Sequence, residues 1–368
     1  MSSIPSTQIL GSKNRVMSLD LLRVIACLLV ILLHTSANYV VVMEDYPTTF
    51  AMNSWQAGNI FDSLSRSAVP LFVMLSGTFM LDPSRDIPNS KLISKIIKLI
   101  TTFLFWAVAY QLFYITGKYV IEGSLEGHSL GLIVKRVIAG EYHMWFFYLL
   151  GSLYLIVPLL RAITKDSKLT VYFLILSFAA TFLIPNFELI PLLGEAKILT
   201  ARFDFRMVTG YSFYFVLGFF LRDHFITRKI ARTLFFSAIV AFILAWSITA
   251  YGTWIINRGA SVFVSTFYGY LFITTMIEAA SVFLIALYIN QNYSFRGTII
   301  SKIAGYTMGI YLMHVMGLVV MSRTLIYKSW TISAFVTIPL IAILDFLLCW
   351  LGTFIMSKIP VIKRFSSW

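Results

Sequence analysis

Hydrophobic residues run along this chain in long blocks parted by short polar segments, and the blocks predict helices. Ten of them read as spans, at about 19–41, 59–80, 96–116, 144–161, 169–186, 207–221, 234–252, 263–289, 304–322 and 334–357. Blocks of this length suit a bilayer core of roughly 30 Å, which needs about 20 residues at 1.5 Å each. The polar exceptions inside the blocks carry the most information. The first block, Met17 to Val42, holds Asp20, Arg23 and His34 in an otherwise apolar run. An Arg within a bilayer costs roughly 2.5 kcal/mol or more, so it is seldom there without a task. Eleven residues at about 100° each make three turns plus roughly 20°, so Arg23 and His34 share one stripe about 16 Å apart. A cation at one depth and a titratable imidazole much deeper suggest a path entering the membrane. The bland alternative is an interfacial Asp20–Arg23 pair, with His34 a hydrogen-bonded packing residue.

Three further constellations interrupt the blocks. Asp62 and Arg66 are i,i+4 neighbours, and Pro70 is expected to kink or open the helix four residues on, freeing a carbonyl. Ser76 and Gly77 then permit close helix approach. The pair either faces a polar interior or only fastens helices together. At the start of the fourth block stand His143 and Trp145; the Trp fits an ordinary interfacial belt, which leaves the His unexplained. In the ninth block His314 closes the run Gly309-Ile310-Tyr311-Leu312-Met313-His314, as a hydrogen bonder or as part of a site. Glu278 and Asp345 have no obvious partner in sequence, and His128 and His224 are assigned no role. No zinc spacing, Walker loop or nucleophile elbow occurs, so no metal site is expected. Any chemistry must come from His, Arg, Asp and backbone groups gathered from several helices.

Composition agrees with the blocks. The chain is 59% hydrophobic and 12% charged, with 32 Phe and 19 Tyr, and its mean hydropathy is +0.83. That is an all-α polytopic membrane protein of about ten transmembrane helices. Its net charge of +13 invites a nucleic-acid reading, but the distribution argues against it. With the N-terminus inside, the inner segments hold 18 Lys/Arg and the outer ones nine, with Arg23 and Arg66 within spans. This is the positive-inside bias, and it puts both termini in the cytoplasm. The inner charges also suit anionic lipid or an anionic ligand. The expected organisation is a cytoplasmic tail over 1–16, one membrane domain over 17–357 and a second tail over 358–368, with the first span an uncleaved anchor. Cys27 and Cys349 fall inside spans and suggest neither a disulfide nor a metal cluster. No internal repeat stands out. The longest outer connections, Gly117–His143 and Phe187–Arg206, are read as loops forming a cap where an acceptor would arrive.

Taken together, the motifs resemble a known family. Leu19-Asp20, Arg23, Ala26, Val30 and His34 are followed by Arg66, Val69-Pro70-Leu71-Phe72-Val73-Met74 and Ser76-Gly77. Then come His143-Met144-Trp145-Phe146, Gly151, Tyr154-Leu155 and Pro158, next Tyr214-Phe215, Leu217-Gly218, and last Gly309-Ile310-Tyr311 with His314. The set resembles the acyltransferase-3 family of integral membrane acyltransferases, nearest to its enterobacterial common antigen O-acetyltransferase branch. Val73 stands where Phe is frequent in that family. The resemblance implies acetyl transfer from cytoplasmic acetyl-CoA, the acyl donor, to a hydroxyl of an extracytoplasmic glycan, in the cell inner membrane. It makes Arg23 and His34 the functional core. Arg23, with Asp20 and Ser76, is then expected at the CoA. His34 is general base or acyl relay, with Arg66 steadying the oxyanion or making a second phosphate contact and Asp62 holding Arg66. His143, Trp145 and His314 are expected on the acceptor side. The rival reading is a proton-coupled or lipid transporter whose buried His, Arg and Asp form the relay.

Overall fold

The computed structural model describes residues 17–40, 49–124, 127, 129–187, 209–226, 228–258, 260, 262–292, 298–322 and 333–366. Every regular element among them is helical. In order these are α1 (Met17–Val40), α2 (Thr49–Ser65), α3 (Ala68–Met80), α4 (Asn89–Glu122) and α5 (Leu130–Ala139). A 3-10 turn (Tyr142–Met144) leads into α6 (Trp145–Leu155), α7 (Val157–Thr164) and α8 (Ser167–Phe178), which a π-helical turn joins to α9 (Ile184–Phe187). After them come α10 (Tyr211–Ile226), α11 (Arg232–Asn257), α12 (Ile273–Asn292), α13 (Thr298–Ala304), α14 (Thr307–Met321), α15 (Ala334–Met356) and α16 (Pro360–Ser366).

Among the described residues five helices are long and apolar enough to cross a membrane, and a sixth results if α6 and α7, bent by 57°, count as one span. The expectation of ten spans is therefore met only in part, because α3, α10 and α14 are individually short. The 59–80 block is not one helix. It breaks at Arg66–Ser67, since Pro70 has no amide hydrogen and its ring crowds the carbonyl four residues back. The expected loop over Gly117–His143 is also largely helical: α4 runs on to Glu122, stops at Gly123 with φ 65°, and α5 follows. The other expected loop, Phe187–Arg206, lies almost wholly outside the described residues. Ile97, Leu104 and Leu112 on α4, Val240 and Leu244 on α11, and Leu340 and Leu347 on α15 are exposed. Such rows of bare aliphatic side chains suit a lipid surround.

One end of the bundle is tied by charge. The Ser301 hydroxyl donates to Asp20 at 2.8 Å. Arg222 of α10 meets Asp82 at 2.8 Å, and Arg161 of α7 donates to the carbonyls of Met80, Asp82 and Arg85. Burial alone would raise the Asp82 carboxyl, yet the Ser84 hydroxyl and amide and the Arg222 guanidinium hold it below the usual carboxylate range. At the opposite end, Tyr39 bonds Thr337 and the Tyr268 hydroxyl donates to Asn59. Between the ends, α3 and α10 touch through glycines. A Cβ at Gly77 would strike the Phe215 backbone, and one at Gly218 the Met74 backbone.

Candidate active site

The cavity that opens near the Asp82 end has a volume of about 410 Å³, within the usual range of small-ligand sites, roughly 300–1,000 Å³. Asp20, Arg23 and Ser76, the three residues expected at the donor, all line it. The i,i+3 pairing also forms, Arg23 to Asp20 at 3.7 Å. Arg85 and Lys95 join the wall, and Arg23 and Arg85 both lie over the Phe79 ring, at 5.6 and 4.9 Å. The lining thus carries three cations and one carboxylate, Arg23 pairing with Asp20 and Arg85 with Asp82 outside the lining at 3.5 Å. Further in, the wall turns apolar through Phe72, Leu75, Phe146 and Leu150, and it includes Tyr311. This gradation from a cationic to an apolar lining suits a ligand with an anionic head and a slender uncharged arm.

Tyr311 divides this cavity from a cluster of three histidines. Its hydroxyl donates to the His143 carbonyl, and its ring lies 5.4 Å from that of His143 and 5.7 Å from that of His314. His34 stacks on His314 at 5.2 Å, and His143 meets His314 edge-on at 5.0 Å. His143 and His314 are buried, while His34 is half-buried. Tyr142 closes the ring, 5.1 Å from His34. The three come from α1, from the 3-10 turn before α6, and from α14. Gly140, at φ 71°, turns the chain into that 3-10 segment, and a Cβ there would also strike the Phe103 ring. Among the described residues no group of His, Cys, Asp and Glu is placed to hold a metal ion.

Not every expected residue joins this centre. Asp62 and Arg66 do form their pair, and Arg66 also donates to the Tyr268 carbonyl at 3.1 Å and lies 4.0 Å over the Tyr268 ring. They line a separate cavity of about 220 Å³ with Ala37, one turn beyond His34 on α1. No hydrogen bond joins Arg66 to His34 among the described residues. Trp145 stacks on Tyr270 at 5.7 Å and packs on Tyr211 within an aromatic layer, and it does not line the cavity that holds Arg23. The two carboxylates without sequence partners acquire them: Thr249 donates to Glu278, and Cys349 donates to Asp345. Sequence reasoning missed Arg85, Lys95, Tyr142 and Tyr311 as site residues. Lys95 and Arg85 were visible only as inner-loop charge, and Tyr311 only as part of a motif.

A family model described as an acyltransferase domain matches residues 16–354. No curated protein and no solved structure matches the chain.

Proposed function

The chain belongs to the acyltransferase-3 family, and from that premise we propose that it moves an acetyl group from cytoplasmic acetyl-CoA to a hydroxyl of an extracytoplasmic glycan. The observation carrying this reading is the cavity that joins Arg23 to Tyr311, whose ring packs on His143 and His314. Arg23, Arg85 and Lys95 would hold the phosphates, where guanidinium and ammonium groups make charge-assisted hydrogen bonds. The apolar walls beyond them would guide the uncharged arm toward His34. In the favoured mechanism His34 takes the proton of the acceptor hydroxyl as its oxygen attacks the thioester carbonyl. The C–S bond then breaks, and the proton passes to the departing thiolate. Arg66 lines the neighbouring cavity, one turn off this line, where Asp62 and Tyr268 hold it. The alternative gives His34 the acetyl group first and the acceptor second.

The same reading carries the topology: ten passes, both termini cytoplasmic, in the inner membrane. The charge bias between connections and the clustering of Asp82, Arg161 and Arg222 at one end support it. The nearest branch on motif grounds is the enterobacterial common antigen O-acetyltransferase type.

The test is release of CoA from radiolabelled acetyl-CoA by purified protein with envelope glycan as acceptor. His34→Ala is expected to lose activity on the order of 100-fold or more, and Arg23→Ala to raise the KM for acetyl-CoA. Label retained on wild-type protein without acceptor would select the relay mechanism. If the protein neither binds nor turns over acetyl-CoA, the enzyme reading fails. Solute uptake by proteoliposomes under a proton gradient would then favour transport.

A further inference from the structure

Beyond the histidines lies a second, larger cavity of about 780 Å³, bounded by α4, α5 and the last turns of α14. It abuts the centre through its own wall. Glu141 directly precedes Tyr142 and His143, and Gln111 directly follows Tyr110, whose ring is 5.5 Å from His143. The first cavity reaches the cluster across Tyr311, so the histidines stand between the two.

The lining is mixed in a particular way. Lys118 and Arg136 face Glu122 and Glu141, two charges of each sign, beside the Tyr114 ring. Lys118 and Glu122 pair at 3.7 Å. Balanced charge gives an ionised ligand no net attraction. Gln111 supplies the specific demand. It is 6% exposed, and its side-chain oxygen has no hydrogen-bond partner among the described residues. An amide oxygen can only accept, and leaving one buried and unpaired is unfavourable. The ligand that relieves it must bring a donor, and hydroxyls beside an aromatic ring are what a sugar offers.

We propose that this cavity is the acceptor subsite, that it takes an uncharged sugar residue, and that Gln111 recognises one of its hydroxyls. The inference rests on the acyl-transfer reading above for the fate of that sugar, but not for its binding.

The probes are the unacetylated envelope glycans of cells lacking the protein, separated into water-soluble and lipid-linked fractions. With radiolabelled acetyl-CoA as donor, Gln111→Leu is expected to raise the acceptor KM at least tenfold. The KM for acetyl-CoA should stay within twofold. Arg136→Ala, on the exposed face of α5 where folding is not at risk, should raise the same KM by a smaller factor. Mass spectrometry should find the acetyl group on an uncharged residue, and the fraction that carries it names the source. An acceptor KM within twofold of wild type in both variants, or acetyl on an acidic residue, overturns the assignment. Thermal stabilisation by the same fractions without donor separates the two readings. Stabilisation lost in Gln111→Leu without any acetyl transfer in wild type would keep the subsite and remove the acyltransferase. Wild-type protein that no fraction stabilises would remove the subsite itself.

Discussion

The Nδ1 of His314 faces the Tyr311 carbonyl, one helical turn back on the same helix. A carbonyl can only accept, so Nδ1 carries the proton and the neutral ring presents a lone pair at Nε2. That nitrogen is buried and has no partner among the described residues. The His314 ring stacks on that of His34 at 5.2 Å, and in the proposed mechanism His314 relays the proton from His34 toward the departing thiolate. His314→Asn retains a donor for the Tyr311 carbonyl but has no basic nitrogen. It should lower kcat on the order of 100-fold with little change in the KM for acetyl-CoA, and thermal melting should stay close to wild type. Unchanged kcat would reduce His314 to packing. The pair Arg23–His34 was legible from the sequence because both lie on one helix, where the period alone fixes their common stripe. Tyr311, Arg85 and Lys95 were not, because a helix's own sequence does not say which neighbour its side chains will meet. His143 is the intermediate case: an aromatic belt left a histidine at that helix start unexplained, yet nothing local named His314 as its neighbour.

At the scale of elements, the α3–α10 contact carries the most specific packing. Gly77 faces the Phe215 backbone and Gly218 the Met74 backbone, which lets the helices approach without side chains between them. In lipid there is little hydrophobic drive between helices, so this closeness supplies dispersion contact that larger residues would forbid. Gly77→Ala should destabilise by about 1–3 kcal/mol or more, since the obstacle is backbone rather than a movable side chain. Gly131→Ala on α5, where a Cβ meets nothing, should be neutral or slightly stabilising. Denaturant titration in detergent would check both, and equal effects would mean that α3 and α10 are less closely packed. Close approach at Ser76–Gly77 was legible as a small-residue pair. The break before Pro70 was foreseen as a kink, but a full turn at Arg66–Ser67 also depends on Arg66 anchoring to Tyr268, some 200 residues away in sequence. The helical stretch after Gly117 was misjudged because its Gly and charged residues look like a loop. In the structure the chain stays helical until Gly123 supplies the left-handed stop.

For the whole molecule, the proposed orientation gives each side of the membrane its own cavity and its own route to the three histidines. Orientation then becomes measurable. Cys27 and Cys349 are buried, so a membrane-impermeant maleimide has little background to contend with. Ser90 is exposed at the start of α4, near the Asp82 end, and Ser129 is exposed just before α5, a helix that bounds the second cavity. Ser90→Cys should label only in inside-out vesicles and Ser129→Cys only in right-side-out ones, as the bias of Lys and Arg between connections requires. Ser76 lines the first cavity with Arg23. Ser76→Cys should therefore label from the cytoplasmic side alone, more slowly when acetyl-CoA is present. Labelling of Ser90→Cys and Ser129→Cys from the same side would overturn the topology. Ser76→Cys reacting from the outer side would mean that the cavity bearing Arg23 opens toward the acceptor, and the donor would have to enter elsewhere.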